Sequence, residues 1–419
     1  MEAERILATY LIETPLSLER AAQKIAGVQS SSTFVAVPGE TEALRERVGA
    51  RVERIEPLGS AAAPGLRGAT SPEPGRGYER GLVAISIPYD NVGPNLPTIL
   101  ATVMGSLYEL SELSGVRLMD IAWPAAMAER YPGPQFGVEG TREKAGVQGR
   151  PIIGSIIKPP VGLTPDETAE MVRKLAEAGV DFVKDDEIQA NSPRSPLAER
   201  VAAVMRVVND HAERTGKKVM VAFNISDELD AMLRHHDTVL EHGGTCVLVS
   251  INSVGPVGVG ALRRHCQLPI HGHRNGWGLW TRHEFLGIDF IAYQKLWRLV
   301  GVDQLHVNGL ANKFWEPDES VLASIRACLT PMLGGYTVMP VVGSGQSARQ
   351  VFATYQRSQT TDVIYLAGGG IVGHPAGAAA GVASIQEAWE AAMQGIPLEQ
   401  YATSHPALQQ ALEAFGGPL

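Results

Sequence analysis

The chain has 419 residues, 44% apolar and 19% charged, which is a globular balance and too much chain for one ordinary core. Its net charge of −9 leaves no basic excess to meet a phosphate backbone, which argues against nucleic-acid binding but not against a local cationic pocket for one small anion. No apolar run is long enough to span a bilayer and no basic-then-apolar signal segment opens the chain; the three cysteines, Cys246, Cys266 and Cys328, lack metal-type spacing, so a cytoplasmic protein with no membrane partner is expected.

In chain order, Ile6–Glu13, Thr33–Val37, Val52–Leu58 and Leu82–Pro88 read as strands. Ser17–Ile25 and Leu96–Leu113 read as helices, the first with Ser17 as N-cap. Strands mixed with two helices predict a small α+β, ferredoxin-like N-terminal domain over 1–140. Residues 59–77, rich in Gly, Ala, Pro and Ser, read as a loop, and Ala125–Arg150 as a connector.

From Pro151 onward, eight short apolar runs alternate with stretches of helical length. The runs are Ile152–Lys158, Asp181–Glu187, Lys217–Ile225, Cys246–Ser253, Pro269–Arg274, Gln304–Gly309, Thr337–Gly345 and Asp362–Gly370. Helices are predicted over Pro165–Gly179, Asp227–Gly243, Pro317–Leu329 and Ser347–Ser358. Eight β-then-α units predict a (β/α)8 TIM barrel over 141–419; an open doubly wound sheet is the alternative, but the count of eight favours closure.

Such barrels carry their chemistry at the C-terminal ends of the strands, and here those ends are polar. The second run closes on Lys184-Asp185-Asp186-Glu187. Alternation puts Lys184 and Asp186 on one face, and clustered carboxylates suit a hard cation such as magnesium. An ammonium ion is no metal ligand, but a neutral lysine can capture carbon dioxide as a carbamate, which supplies another anionic oxygen. A structural salt-bridge cluster is the other reading of these residues. The first run closes on Lys158-Pro159-Pro160, which places Lys158 for an anionic oxygen or for proton transfer, or simply in solvent. The fifth closes on His271-Gly272-His273-Arg274, with His271 and His273 on one face. The sixth closes on His306, with Lys313 on the loop after it; His306 alone would more often be structural. The seventh contains Ser344 and Gly345 and the eighth Gly368 and Gly369, whose exposed amides would make a phosphate cradle. Arg274, His306 and Ser344 could hold a second anionic group.

In this order, these motifs resemble the large subunit of ribulose bisphosphate carboxylase (RuBisCO) over nearly the whole chain, most strongly from Gly154 to Gly377. The resemblance implies a metal set of carbamylated Lys184, Asp186 and Glu187 holding one Mg2+. It implies Lys158 in proton transfer, His273 and Lys313 as further catalytic groups, and Arg274, His306 and Ser344 at one phosphate site. Gly368 and Gly369 match the other, where Gly345 also lies. It also implies a homodimer whose sites are each completed by the partner's N-terminal domain.

There are departures from the carboxylase pattern. Pro160 stands where the family has a second lysine. Gln29 aligns with its N-terminal glutamate, Thr102 with its N-terminal asparagine, and Thr33-Phe34 with its threonine-tryptophan pair. The chain therefore resembles the type IV, RuBisCO-like branch, which retains enolisation but not carbon dioxide fixation. Decarboxylation or C–C cleavage of 3-oxo-isoapionate 4-phosphate is one activity of that branch. Another is the methionine-salvage enolase or isomerase reaction, whose enolase takes its base from an N-terminal-domain lysine. No lysine occurs between Glu79 and Glu143, which favours the sugar-acid reaction. A non-catalytic regulatory protein is a further alternative, disfavoured because ligand binding alone would not need the metal triad, Lys158 and Lys313 together.

Overall fold

The computed structural model describes residues 4–31 and 37–416. The strand expected at Thr33–Val37 falls almost wholly outside them, as does the Thr33-Phe34 pair. The chain divides into two compact units. One takes Met1–Pro132 together with Gly276–Leu296, and the other Gly133–Asn275 with Trp297–Leu419.

The first unit is built on β1 (Arg5–Thr14), β2 (Arg51–Ala61), β3 (Tyr78–Pro88) and β4 (Gly115–Ala122). β1 pairs antiparallel with β3 and with β4, and β2 with β3. Alternate residues of β1, Ile6, Ala8, Tyr10 and Ile12, are buried, as period-two packing of one sheet face requires. The helix Leu18–Val28 starts where Ser17 Oγ accepts the Arg20 N–H, and it buries Leu18, Ala21, Ala22 and Ile25. The helix expected over Leu96–Leu113 stops at Met104. Beyond Gly105 the chain makes a short 3-10 turn that delivers Tyr108 to the sheet, where its hydroxyl donates to Gly287 O at 2.8 Å and accepts from Leu118 N at 3.1 Å. A tertiary bond there outweighs continued helix propensity.

The second unit is a closed parallel barrel. Its first five strands are β5 (Ile152–Ile156), β6 (Phe182–Lys184), β7 (Met220–Asn224), β8 (Cys246–Ser250) and β9 (Ile270–His273). The chain then lends β10 (Leu286–Ile288) to the first unit, where it pairs parallel with β4 and completes a five-stranded sheet of order β10-β4-β1-β3-β2. It returns for β11 (Gln304–His306), β12 (Met339–Val342) and β13 (Ile364–Leu366), and β13 closes against β5. The expected barrel and α+β domain are thus both present. Phe182, Met220, Leu248, Met339, Val341 and Leu366 fill the interior, so the barrel is a packed core rather than a pore. Ala145 and Val147 join that core. The expected connector therefore holds an ordered helix, Gly137–Ala145, which contributes to the barrel's packing. The outer helix Pro165–Glu177 begins with a capping box between Thr164 and Glu167 and proline in its first turn. The three cysteines are free and buried, and no helix of the described residues is long and apolar enough to cross a membrane.

Candidate active site

Short strands end early in this barrel and release polar side chains at their C-terminal edges. β5 ends at Ile156, so Lys158 lies on the following loop, half exposed, and its Nζ donates to Asp186 Oδ2 at 2.7 Å. β6 ends on Lys184, whose side chain is fully buried inside the mouth. Lys184 Nζ donates to Asp185 O at 2.9 Å and to Glu187 Oε2 at 3.1 Å. Asp185, the residue of the tetrad not assigned a role, turns the other way. It is buried against Arg200 at 3.2 Å and accepts the Asn224 N–H. Asn224 in turn donates to Asp186 O at 3.1 Å. Arg200 and Asn224 thus hold the backbone that presents Asp186 and Glu187. Neither was found from the sequence, since one lies in the first turn of the helix Leu197–Thr215 and the other closes an apolar strand.

The electrostatics follow from burial. Desolvation lowers the Lys184 amine from its ordinary value, against the pull of Glu187 and Asp186. Burial alone would raise Glu187, but the charge and hydrogen bond of Lys184, a backbone hydrogen bond and the charge of Lys158 together outweigh it and leave the carboxyl below its ordinary value. Magnesium fits this donor set. Asp186 and Glu187 offer hard oxygens, and the lowered amine of Lys184 is the form that takes up carbon dioxide to offer another.

Across the mouth, β9 delivers His271 and His273 to the interior side, as alternation predicts. His271 is fully buried beneath the surface of the site, with Nδ1 2.9 Å from Gln304 Oε1 and Nε2 2.9 Å from His306 Nε2. His273 Nε2 lies 3.4 Å from Glu187 Oε2, and its ring meets His306 at a centroid distance of 4.4 Å. Burial holds all three imidazoles well below their ordinary value, with nearby Lys184 adding to the shift. They are neutral at pH 7, so His273 can hydrogen-bond or pass a proton without adding charge.

Arg274 and Ser344 come together, but through a residue that sequence reasoning missed. Glu316 takes Arg274 Nη2 at 2.7 Å and also accepts from Asn308 Nδ2, while Ser344 Oγ donates to Asn308 Oδ1 at 2.7 Å. Asn308 and Ser344 both hold positive φ, 65° and 72°, a conformation that is costly for serine and is kept only where its surroundings demand it. Nothing local marks Glu316, because an acidic residue just before the helix Asp318–Leu329 is what the helix dipole favours anyway. Lys313 is exposed on the same loop. Its N–H donates to Ser344 O at 3.3 Å and its ammonium stands 5.2 Å from the Phe314 ring centroid; among the described residues no ion pair joins it to the carboxylates.

Gly368 and Gly369 open the short helix Gly368–Val372, whose first amides have no intrahelical acceptor. A Cβ at Gly369 would meet nothing within 4 Å, so the space before it is open. Gly345, Gln346, Gly369 and Gly370 line one side of a cavity of about 560 Å³ whose wall continues to Asp318, Arg349 and Phe415, away from Asp186 and Glu187. A separate group of metal-type ligands, His236, Asp237 and His265, lies on the outer helices. There the Gln267 N–H donates to His236 Nε2 at 3.1 Å, so Nδ1 carries the proton and faces Asp237 at 2.9 Å. That arrangement is a hydrogen-bonded clamp, not an open ligand set.

A parallel barrel with charged groups on one rim and glycine-opened amides on the same rim is the build of a TIM-barrel enzyme. The sequence profile of the ribulose bisphosphate carboxylase large chain, catalytic domain, matches residues 137–415, and that of its N-terminal domain matches residues 1–127. The chain belongs to the RuBisCO large-chain family, within its RuBisCO-like proteins. It is 53% identical to a 3-oxo-isoapionate-4-phosphate transcarboxylase/hydrolase of Xanthobacter autotrophicus, over 98% of this chain and 99% of that one. It is 49% identical to a 3-oxo-isoapionate-4-phosphate decarboxylase of Rhizobium etli, over 98% of each. Among solved structures, a RuBisCO-like protein from Burkholderia fungorum superposes with a TM-score of 0.92 at 47% identity, covering 98% of this chain and 99% of that one.

Proposed function

We propose that this protein is a magnesium-dependent RuBisCO-like enzyme that cleaves a C–C bond of 3-oxo-isoapionate 4-phosphate, by decarboxylation or by hydrolysis. The observation that carries the reading is the convergence of Lys158, Asp186, Lys184, Glu187 and His273 on one rim, in a chain about half identical to proteins named for that substrate.

A cation held by carbamylated Lys184, Asp186 and Glu187 would supply Lewis-acid stabilisation of charge developing on the substrate's oxygens. The remaining work falls to the chain itself. When a carboxylate leaves a 3-oxo acid, its bonding electrons pass toward the ketone and an enolate remains. Lys158, on the β5 loop, is the acid that returns a proton to the enolate carbon. His273 stays neutral and orients the substrate's hydroxyl or carbonyl oxygens. The amides of Gly345, Gly368 and Gly369 receive the phosphate, while Arg274, His306 and Ser344 face the other end. Lys313 would close over the substrate with its loop. The missing lysine between Glu79 and Glu143 supports this reading over the methionine-salvage reactions.

A homodimer with shared sites accompanies the proposal. Gln29 Nε2 donates to Thr102 O at 3.2 Å, which joins the two N-terminal positions that align with the family's glutamate and asparagine, and Leu279 and Trp280 are exposed apolar residues that a second copy would cover. Light scattering at assay concentration reads this: a fully active monomer would sink the shared site. For the reaction, phosphorus NMR with magnesium and bicarbonate should show 3-oxo-isoapionate 4-phosphate consumed. Turnover of the methionine-salvage diketone phosphate alone would overturn the assignment, and turnover of neither would favour a regulatory protein.

A further inference from the structure

Glu316 is almost fully enclosed, with its side chain 1% exposed, and so is its partner Arg274 at 4%. Its Oε2 binds Arg274 and Asn308, its Oε1 accepts from Ser320 Oγ at 3.0 Å, and Asn308 passes the connection to Ser344. From one carboxylate, bonds therefore reach the ends of β9, β11 and β12. Arg274 and Ser344, two of the groups expected to hold a second anion, are joined to it, and the third, His306, is neutral through burial.

This changes what that end of the mouth can accept. A buried guanidinium without a counter-ion costs several kcal/mol, and Arg274 already has its counter-ion before any ligand arrives. The pair is formally neutral. A dianionic phosphate placed here would gain from Arg274 and lose to Glu316 directly behind it. A carboxylate carries half that charge, so its penalty from Glu316 is smaller. We infer that Glu316 is a specificity-determining residue that sets the β9–β11–β12 end of the site for a carboxylate and against a second phosphate. The single phosphate is left to the glycine loops after β12 and β13. The inference rests on the proposed phosphorylated keto-acid substrate, and it assigns the opposite end of that substrate.

The test is calorimetric binding of ribulose 5-phosphate and ribulose 1,5-bisphosphate to the full chain with magnesium and bicarbonate. In the unaltered protein the second phosphate should improve affinity by less than about tenfold. Glu316→Gln should tighten the bisphosphate selectively by about tenfold or more, and Glu316→Asp, which keeps the charge, should hold the original ratio. A bisphosphate bound about a hundredfold tighter than the monophosphate by the unaltered protein would overturn the inference, and that comparison decides even if Glu316→Gln does not fold. An unchanged ratio in Glu316→Gln, or an Asp variant that behaves like the Gln variant, would overturn it too. If the unaltered protein binds neither sugar at millimolar concentration, the phosphate reading of the mouth falls, and this inference with it.

Discussion

The two ends of the barrel are both rich in buried charge, yet they use it oppositely. At the N-terminal end, Asp303 is fully buried and its oxygens are saturated: Oδ1 accepts from Phe136 N and Gly137 N, and Oδ2 from Ile270 N at 2.8 Å and Arg263 Nη1 at 2.9 Å. Asp181, at the start of β6, is likewise held by Arg150, Lys217 and the Ile153 N–H. At the other end of that same strand, Lys184, Asp186 and Glu187 share their charge with Lys158, which is half exposed, and with neutral His273. Charge alone marks neither structure nor function. Saturation by fixed partners marks the first, and capacity left open toward the mouth marks the second.

The comparison breaks most sharply at Lys184. Lys184→Ala should lower turnover by about a thousandfold or more, since several kcal/mol of transition-state stabilisation depend on the cation it helps to hold, while the chain still folds. Activity near that of the unaltered protein without bicarbonate would refute the carbamate. Lys158→Met should lower kcat by about 10²–10⁴-fold, the usual contribution of a positioned acid or base, and change KM far less, because its role is realised in the transition state. Equal loss in kcat and in substrate affinity would make Lys158 a binding group instead.

At the opposite end the prediction reverses. Asp303→Asn should cost about 3–5 kcal/mol of stability, the penalty for leaving a buried partner such as Arg263 unpaired, and should leave kcat per folded molecule intact. Denaturant unfolding and active-site titration separate the two effects, and a kcat loss at unchanged stability would contradict the division between the ends.

The smallest effect concerns pH. Burial lowers the His271 imidazole well below its ordinary value, so the unfolded chain takes the proton first as pH falls. Stability is present above the unfolded value near 6.5 and is lost as pH drops from there toward the folded value, by at most about 1.4 kcal/mol per pH unit for this group. His271→Gln should flatten the pH dependence of unfolding free energy between pH 7 and 5. An unchanged slope would assign that dependence to other groups.

Much of this was legible in the chain alone. Eight strand-and-helix periods, and the chemistry at their ends, are local properties: Lys184, Asp186 and Glu187 lie within four consecutive residues, and Lys158 and Arg274 lie within two residues of strand ends. Hydrophobic periodicity and strand polarity suffice to read such features. Tertiary structure decided what depends on distant partners. β10 is three residues long and joins a sheet begun at Arg5, so no local pattern could assign it. The Leu96–Met104 helix ends at Gly105, and the bonds of Tyr108 to Gly287 and Leu118 beyond it are contacts invisible along the chain. Asp185 and Asp186 are adjacent in sequence, yet one is spent on Arg200 and the other faces Lys158. Glu316 lies 42 residues from the Arg274 it neutralises. The charge of the mouth was therefore not the sum of its residues but of their pairings, and pairing is settled only when burial removes water as the alternative partner.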